Sequence, residues 1–319
     1  MTDVRNWSDG VHASRRLQNR RLSWLIAALL MILLSVAIRV WYSESDHPSP
    51  VTVDIGGWPE TSVVQSVDPG RGTQHAALTI ATWNINYNNK DLDEVERLLL
   101  DSSADIICLQ ETTERSETLL TRKLAERYPS QFTAGHAGRF LAEGFLVLSK
   151  QQILNPRFVP SVRTYFGHVA FEIDCAGQAI TVISVHLTPF TTRGARSIPQ
   201  LLSVLGATEV DHQEEIRSVI KELPHDRPVI ILGDFNSPAH GIAPTTLAAN
   251  GLTDLFAQLH ADPDETHKSW DFPLPNELHA TWRIDYVFYS HHFTPLAAHL
   301  ERCHSSDHHL LIGKLQCAP

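Results

Sequence analysis

A carboxylate and a carboxamide follow the apolar run 229–232, which lies between Pro228 and Gly233. A short, unbroken apolar run of this kind suits a strand that is buried on both faces. Asp234 and Asn236 come just beyond the run, two residues apart, so a rigid strand would hold both polar groups at one exit. An Asx-type turn that closes the strand accounts equally well for an isolated pair. The rest of the chain must therefore decide between a site and a turn.

Polar residues recur at the ends of other apolar runs in the chain. Those at or just after such an end are Asn84, Glu111, His186, Asp234 with Asn236, and Asp307 with His308, while Asp285 stands near the start of its run. Layered folds build sites from polar groups that collect along one edge of a sheet. Taken singly, Glu111 could be a helix N-terminal carboxylate, His186 a core histidine and Asp307 a loop cap. The whole series is difficult to explain as caps.

The chemistry that these residue types suit is hydrolysis of a phosphate ester. Glu111, Asp307 and amide oxygens are hard ligands, which suit Mg²⁺ or Mn²⁺ better than zinc. A carboxylate free of the metal, such as Asp234, could orient and deprotonate a water molecule. A pair such as His308 with Asp285 would hold an imidazole in one tautomer beside the phosphate. No GxSxG elbow, P-loop or HExxH pattern in the sequence supports another mechanism.

Strands and helices must position these residues, and the apolar pattern predicts both. Eight runs predict strands, at 77–86, 104–109, 144–148, 169–173, 179–186, 229–232, 284–289 and 309–315. Helical spacing predicts helices that begin near residue 92 and at about 117–128, 198–223 and 243–250. We expect Gly251 to close the last helix, and acidic residues at 209–215 to be exposed on the longest one. Strands dominate, which predicts a mixed α/β or α+β layered domain.

Composition limits the classes of partner. The chain has 319 residues, with 26 Lys and Arg against 36 Asp and Glu, for a net charge of −10. Residues 1–76 hold seven of each sign, so the remaining 19 basic and 29 acidic residues, and the whole excess, belong to 77–319. No basic stripe offers a broad footprint for duplex nucleic acid. The four cysteines have no zinc-type spacing, and Cys108 lies in an apolar run as a core residue. A disulfide among Cys175, Cys303 and Cys317 stays open.

The amino-terminal region predicts a membrane anchor. Residues 22–42 form an apolar stretch of about the length that crosses a bilayer, with aromatic residues at both ends. Arginine pairs precede the stretch and acidic residues follow it, so residues 1–21 are expected in the cytoplasm. A cleaved signal peptide with Ser35-Val36-Ala37 as its cleavage site is the competing interpretation. In both cases 43–76 is a linker, and 77–319 is a globular domain outside the cytoplasm.

Six motifs occur in order along this domain: TWNIN at 82–86, LQE at 109–111, VHL at 185–187, GDFN at 233–236, RIDYVFYS at 283–290 and SDH at 306–308. Together they resemble the endonuclease/exonuclease/phosphatase superfamily. That superfamily includes pancreatic-type deoxyribonuclease, abasic-site endonuclease, bacterial sphingomyelinase and inositol polyphosphate 5-phosphatase. The resemblance covers about 77–319, is specific for the superfamily and is poor at choosing a member.

The resemblance implies a four-layer sandwich, in which two packed, mainly antiparallel sheets are flanked by helices. It also implies roles for the residues that match its motifs. Asn84 and Glu111 would hold the metal and the phosphate, with Asp307 near the metal. His186 and Asn236 would stabilise the pentacovalent phosphate, and Asp234 would position the attacking water. His308, oriented by Asp285, would act on the phosphate or as an acid or base. Asn86 stands where some members have an aspartate, which weakens the case for a second acidic metal ligand.

The sequence therefore predicts a membrane-tethered, Mg²⁺- or Mn²⁺-dependent phosphoesterase that acts outside the cytoplasm. Its phosphodiester or phosphomonoester substrate would be a lipid head group, a nucleotide or extracellular nucleic acid. The alternative is a non-catalytic binding or scaffold module that keeps the fold. Loss of Glu111, His186, Asp234 or His308 would have favoured that alternative, and all four are present. Arg193 and Arg196 follow His186 and are either substrate contacts or solvated loop residues. Oligomeric state is not predicted.

Overall fold

The computed structural model describes residues 77–136, 141–161, 166–175, 177–190, 198–224, 226–273 and 279–317. Apart from Pro273, these residues belong to one compact unit. The predicted cytoplasmic segment 1–21, membrane anchor 22–42 and linker 43–76 lie outside them, as do Arg193 and Arg196. No helix within the described ranges is long and apolar enough to span a membrane.

The described chain forms two six-stranded sheets and one two-stranded ribbon. The strands are β1 (Ala77–Asn84), β2 (Ile106–Thr112), β3 (Ser130–Ala134), β4 (Gly144–Ser149), β5 (Leu154–Pro160), β6 (Gly167–Cys175), β7 (Gln178–His186), β8 (Val229–Asp234), β9 (Thr253–Asp254), β10 (Trp270–Pro273), β11 (His279–Trp282), β12 (Asp285–Tyr289), β13 (Phe293–Glu301) and β14 (Leu310–Cys317). The helices are α1 (Leu92–Asp101), α2 (Glu114–Lys123), α3 (Ile198–Ile220), α4 (Ile242–Ala249), α5 (Leu255–Leu259) and α6 (Pro263–Thr266).

Each six-stranded sheet is antiparallel except for one central parallel pair. The first sheet has the order β13-β14-β1-β2-β4-β3, and β1 runs parallel to β2. The second has the order β5-β6-β7-β8-β12-β9, and β7 runs parallel to β8. Both sheets are therefore mixed, and the expected pair of mainly antiparallel sheets is present. The ribbon consists of β10 and β11.

Side-chain alternation along the strands builds the layers of the fold. In β1, Leu78 and Ile80 belong to the apolar cluster between the two sheets, whereas Ala81 and Trp83 belong to the cluster under α1 and α2. A third cluster packs β7, β8 and β12 against α3 and α4. This period of two is the geometry of a strand with apolar layers on both faces. The order of layers is helix, sheet, sheet, helix, as expected.

The first two helices begin at side-chain caps. Asp91 accepts a hydrogen bond from the backbone N of Glu94. The apolar residues that α1 buries recur at helical spacing, and they are Leu92, Val95, Leu98 and Leu99. The second helix begins at Glu114, three residues before the predicted start, because Thr113 and Ser116 form a reciprocal capping box. It ends at Lys123 rather than at residue 128. Polar residues supplied this start signal, so an apolar pattern alone could not find it.

The predicted exposure of the acidic residues on α3 is wrong. Glu209 and Glu215 are buried, and so is His212 between them. Glu209 accepts a hydrogen bond from the backbone N of Ile242, at the first turn of α4. Glu215 accepts bonds from both the backbone N and the Oγ1 of Thr188, just after β7. The buried carboxylates satisfy backbone donors that would otherwise be orphaned.

The strands that the apolar pattern missed are the edges of the two sheets, together with the ribbon. β13 and β3 are the edges of the first sheet, and β5 and β9 are those of the second. Proline interrupts two of these strands: Pro156 and Pro160 lie in β5, and Pro295 lies in β13 beside a bulge. Proline cannot donate to a ladder and is confined to edges and bulges. These strands therefore lack the continuous apolar pattern of a central strand.

Gly233 allows β8 to lie close to β7, and its replacement tests that packing. Its φ is 142°, and an added Cβ would lie 2.0 Å from the carbonyl O of Val185. We expect Gly233→Ala to lower the free energy of unfolding by about 3 kcal/mol or more, measured by urea denaturation. Gly206→Ala is the matched control, because Gly206 lies in α3 with open space around it. The control should raise stability by roughly 0.5–1 kcal/mol. Equal stability of the two variants would contradict the close-packing argument.

Candidate active site

The carboxyl ends of the two parallel pairs meet at one edge of the sandwich. Asn84 and Glu111 come from the ends of β1 and β2, and His186 and Asp234 are the last residues of β7 and β8. β12 runs antiparallel to β8, so its first residue, Asp285, pairs with Asp234. Because β12 runs opposite to β8, its polar residue lies at the start of the strand. The polar residues of β1, β2, β7 and β8 lie at or near the end of each strand.

A polar layer below this edge joins the two sheets. Gln110 donates from its Nε2 to the Oγ1 of Thr82 at 3.1 Å and to the Oγ of Ser184 at 3.1 Å. All three residues are buried and occupy positions that alternation directs between the sheets. Sequence reasoning missed them. In the sequence, each of them is a polar residue at a position where the neighbouring inward-facing residues of the same strand are apolar.

The carboxamide of Asn84 connects carboxylates of different sheets. Its Nδ2 donates to the Oε1 of Glu111 at 2.9 Å and to the Oδ2 of Asp234 at 3.0 Å. Its Oδ1 accepts a hydrogen bond from the backbone N of Asn86 at 3.0 Å. The two carboxylates thus lie within reach of one amide group. The structure brings together three of the residues that the sequence singled out.

Glu111 reaches this position through an irregular backbone. Strict alternation after Ile107 and Leu109 would turn residue 111 toward the helix layer, but Glu111 has a φ of 56° at a register shift against β4. A bulge re-aims a side chain in this way, at the cost of left-handed backbone strain. Its Oε2 accepts a hydrogen bond from the backbone N of Tyr87. Burial raises the pKa of Glu111, although the bond from Asn84 lowers it.

Asp307 is fixed by two side-chain donors. Its Oδ1 accepts from the Nδ2 of Asn86 at 3.0 Å, and its Oδ2 accepts from the Nε1 of Trp270 at 2.9 Å. An ionised aspartate at position 86 could not donate this bond, so the asparagine suits a neighbour that is itself a carboxylate. Trp270 was missed by sequence reasoning, because an isolated tryptophan shows no sign of a carboxylate partner.

His308 and Asp285 form the imidazole–carboxylate pair that the sequence predicted. The Nδ1 of His308 lies 2.9 Å from the Oδ2 of Asp285, and its Nε2 lies 3.6 Å from the Oδ2 of Asp234. The Nε1 of Trp83 donates to the carbonyl O of His308, and the Oγ of Ser269 accepts from the backbone N of Asp285. Burial alone would lower the pKa of His308, but the Asp285 and Asp234 carboxylates outweigh it and raise the pKa to about 10. The imidazole is therefore a cation at neutral pH.

Asp234 is buried beside this cation and beside Asn236. Burial raises the pKa of Asp234 to about 7, since the charge of His308 offsets only part of the cost of desolvation. The backbone N of Asn236 donates to the Oδ1 of Asp234 at 2.8 Å. Asn236 has a φ of 46°, and its Nδ2 donates to the carbonyl O of Leu187. A carboxylate with this pKa is a stronger base near neutral pH than an ordinary aspartate.

His186 is a neutral imidazole that faces both carboxylates. Burial and the positive charge of His308 lower the pKa of His186 to about 3. Its Nε2 lies 3.6 Å from the Oδ2 of Asp234 and 3.9 Å from the Oε1 of Glu111, and because the ring is neutral these contacts are not ion pairs. The ring of Phe166 stacks on it at 3.9 Å between centroids. Stacking fixes the orientation of the ring and leaves Nε2 as a hydrogen-bonding group.

Comparison with known proteins now identifies the family. Residues 81–308 match the model of the Endonuclease/Exonuclease/phosphatase family, a span that contains every one of these site residues. The chain belongs to the endonuclease/exonuclease/phosphatase family. The resemblance of the six motifs is thereby confirmed, and the family supports phosphate-ester hydrolysis as the chemistry of the edge.

The chain is similar to proteins whose names refer to different substrates. The chain is 24% identical over 245 residues to an exodeoxyribonuclease from Bacillus subtilis (strain 168), which covers 67% of this chain and 88% of that protein. It resembles the structure of D. rerio TDP2 complexed with a single-strand DNA product, with a TM-score of 0.57, 20% identity, and coverage of 75% of this chain and 99% of that one. For sphingomyelinase C from Streptomyces griseocarneus the TM-score is 0.54, with 18% identity and coverage of 75% and 99%. These structural likenesses establish the fold.

Members of this family typically use divalent metal ions, and the donor atoms at the edge fit such an ion. Glu111 and Asp307 supply carboxylate oxygens, which are a ligand type of Mg²⁺ and Mn²⁺. Asn84 turns its Nδ2 toward Glu111 and its Oδ1 toward the backbone N of Asn86, so its role as a metal ligand stays a prediction. Desolvation raises the pKa of the half-buried Glu111 carboxyl, because the bonds from Asn84 and Tyr87 offset only part of its cost. A cation beside it would supply compensating charge.

A second group of potential ligand atoms lies close together. Asp234, Asp285 and His308 place one ligand atom each within 4.8 Å of one another. His308 already uses its Nδ1 in the hydrogen bond with Asp285, and the charges of Asp285 and Asp234 raise its pKa. A metal ligand must be a neutral imidazole. The donor chemistry therefore favours the group around Glu111 for a metal ion and leaves the second group to proton chemistry.

The charge of His308 gives a testable pH dependence. In the metal-free protein, ¹⁵N NMR of labelled histidines should show His308 protonated until about pH 10 and His186 neutral above about pH 3. Because the folded pKa of His308 lies above the unfolded value, its protonation stabilises the fold fully below about pH 6.5 and this contribution is lost as pH rises through about 10. Asp285→Asn should lower the pKa of His308.

The matched control is Asp271→Asn, which removes an aspartate that pairs instead with the exposed His279. It should leave the pKa of His308 unchanged. Titration of His308 near the ordinary value in the unmodified protein would contradict the assignment of an imidazolium.

Proposed function

We propose that the chain is a metal-dependent phosphoesterase that hydrolyses its substrate with an activated water molecule. One observation carries the proposal: a single amide, that of Asn84, hydrogen-bonds Glu111 on one side and Asp234 on the other. It sets a carboxylate suited to a hard cation beside a carboxylate with the pKa of a base. The phosphoryl group would lie between the two.

Asp234 is the group that takes the proton of the attacking water. Because its pKa is about 7, a substantial fraction of Asp234 is ionised at neutral pH. The ionised form also accepts a proton more readily than an ordinary aspartate does. The backbone N of Asn236 and the amide of Asn84 hold both carboxylate oxygens in place. Water attacks phosphorus as Asp234 accepts its proton, so the nucleophile is generated next to the phosphate.

The two histidines face the phosphate with different charges. His308 is a cation held by Asp285, so it neutralises charge on the phosphoryl oxygens or donates a proton to the leaving oxygen. His186 is neutral, and its Nε2 donates a hydrogen bond to a phosphoryl oxygen. Asn236 adds an amide donor at the same edge. This set of donors fits the crowded charge of a pentacovalent phosphate better than that of the ground state.

The metal ion, held by Glu111 and Asp307, would neutralise negative charge on the phosphoryl oxygens and on the leaving oxygen. A non-catalytic scaffold would need neither a buried base with a raised pKa, such as Asp234, nor an imidazole kept as a cation, such as His308. Burying such groups is costly. Their retention at one edge favours catalysis over a scaffold role.

A stack of aromatic rings next to Asp307 favours a nucleotide-containing substrate. Trp270 and Trp282 on the β10–β11 ribbon lie parallel within 3°, with centroids 5.4 Å apart, and Phe272 stacks on Trp270 at 5.7 Å. Trp282 and Phe272 are exposed, at 38% and 47%. Trp270 is tied to Asp307 by its hydrogen bond. Flat aromatic faces beside a phosphate site suit the stacking of bases in a single strand.

The charge of the chain agrees with a single-stranded substrate that is bound by stacking. The globular part carries the whole net charge of −10, so a broad electrostatic grip on a duplex is not favoured. The exodeoxyribonuclease relative and the TDP2 structure with single-strand DNA product support this choice. We therefore propose single-stranded nucleic acid, or an oligonucleotide, as the substrate class rather than a lipid head group.

The proposed location of the catalytic domain rests on the amino-terminal sequence alone. The apolar stretch 22–42, with arginines before it and acidic residues after it, supports a membrane tether with the catalytic part outside the cytoplasm. A substrate in that compartment would be extracellular nucleic acid or its fragments. Tethering would keep hydrolysis close to the cell surface.

The roles of Asp234 and Glu111 can be separated by one pair of variants. Asp234→Asn should lower kcat on the order of 10²–10⁴-fold, as loss of a general base does, while leaving Mg²⁺ affinity nearly normal. Glu111→Gln should weaken Mg²⁺ binding measured by calorimetry, and high Mg²⁺ or Mn²⁺ should restore part of its activity. Each variant is the control for the other. Full activity in EDTA, or unchanged turnover by Asp234→Asn, would overturn the proposal.

Substrate class is tested on the aromatic stack. Trp282→Ala should raise KM for a short single-stranded oligonucleotide by roughly 5- to 100-fold, as loss of one stacked base does. Hydrolysis of a small diester without bases should change little, because the roles assigned to Asp234, His186 and His308 do not involve Trp282. Leu296→Ala is the control, since Leu296 is another exposed apolar residue, on β13. Sphingomyelin vesicles provide the lipid arm of the assay. Loss of vesicle hydrolysis with an unchanged oligonucleotide KM would instead indicate a lipid substrate.

A further inference from the structure

Two buried cysteines face each other at the end of the sandwich away from the candidate active site. β6 begins at Gly167, which pairs with His186 of the site, and ends at Cys175. β14 begins directly after the His308 loop and ends at Cys317. The two cysteines therefore close the far ends of strands from different sheets. Their Sγ atoms lie 3.2 Å apart, and each residue is 6% exposed.

The other two cysteines have different surroundings. Cys108 lies within β2, two residues before Gln110, and is fully buried. Cys303 donates from its Sγ to the carbonyl O of His308 at 2.8 Å, so it supports the loop at the active site. In the described part of the chain, Cys175 and Cys317 are the cysteines whose sulfur atoms are placed in contact. This contact separates one pairing from the alternatives that the sequence left open.

We propose that Cys175 and Cys317 form a disulfide that joins the two sheets. Contact between the two sulfur atoms requires only a small approach to form a bond, since the side chains already point toward each other from facing sheets. The surrounding cluster between the sheets is apolar, so a disulfide replaces two thiols there without leaving a charge or an unsatisfied donor.

The reaction balances with a small-molecule disulfide, such as oxidised glutathione, as the oxidant. The thiolate of one cysteine attacks the glutathione disulfide, forms a mixed disulfide and releases one glutathione thiolate. The thiolate of the second cysteine then displaces the other glutathione and closes the protein disulfide. Two protein thiols lose two protons and two electrons, and one glutathione disulfide becomes two glutathiones.

Burial determines when this reaction happens. Burial raises the pKa of Cys317 to about 12, and the hydrogen bond with Cys175 adds to the effect. The thiolate is the reacting species, so exchange in the folded protein is slow. The bond therefore forms during folding, before the sheets close over it, and the folded sandwich then protects it from reductants. A chain that folds outside the cytoplasm meets the oxidising conditions in which such bonds persist.

The disulfide would have a large effect on stability, because it links residues 142 positions apart. Cross-linking over a long loop restricts the unfolded chain more than cross-linking over a short one. It also holds together the ends of two sheets that are otherwise joined there by apolar contacts. The inference does not depend on the phosphoesterase proposal, and its test uses no activity measurement.

The test uses the full-length chain, unfolded with denaturant and reductant and refolded in mild detergent with reduced and oxidised glutathione. Peptide mapping without reduction should find Cys175 linked to Cys317. After unfolding without reductant, two thiols should react with a maleimide. The oxidised protein should melt roughly 5–15 °C above the reduced protein.

Two variants keep the result decisive. Cys175→Ala with Cys317→Ala should abolish the difference in melting temperature between oxidised and reduced protein. Cys108→Ala should keep that difference and reduce the reactive thiols from two to one. Four reactive thiols in the unmodified chain, a linkage to Cys108 or Cys303, or a full redox shift in the double variant would overturn the proposal. If the double variant fails to fold, the peptide map of the unmodified chain decides alone.

Discussion

The hydrogen bonds from Asn84 across the two sheets are the constraint on which the site depends. Glu111 belongs to the first sheet and Asp234 to the second, yet both accept from the same amide nitrogen. The bonds can form only if the sheets pack face to face in one register. The layer of Thr82, Gln110 and Ser184 below them sets that register with further polar contacts. The geometry of the candidate active site therefore depends directly on how the two sheets pack.

The balance of charge at this edge is a second constraint on the site. Four carboxylates gather at the edge of the sandwich (Glu111, Asp234, Asp285 and Asp307), and His308 supplies one positive charge among them. The imidazolium compensates Asp285 and part of Asp234, and the pKa values of Asp234 and Glu111 remain raised by burial. An edge built in this way makes Asp234 a stronger proton acceptor than an ordinary aspartate and favours a cation near Glu111. The same imbalance that costs stability thus prepares the site for a base and a divalent metal.

The sequence predicted the parts of the molecule that an apolar pattern can encode. All eight central strands lie close to their predicted positions, because both of their faces are buried and their runs are continuous. The four edge strands were missed, since one side of each is free of a neighbour and proline is tolerated there. The polar residues at strand ends could be located for the same reason as the strands, and their roles stay a prediction. Gln110, Trp270 and the buried Glu209 and Glu215 were not, because only tertiary contacts give these polar side chains their partners.

Backbone strain is concentrated at the same end as the charge. Three of the five non-glycine residues with positive φ in the described chain are Asn86, Glu111 and Asn236, all at the site. Each such conformation costs on the order of 1–3 kcal/mol and persists only where the surroundings enforce it. The surroundings here are the apolar cluster between the sheets, which runs from the site to the far end at Cys175 and Cys317. The strained and charged end can persist because separating the sheets there would expose the adjoining part of this apolar cluster to water.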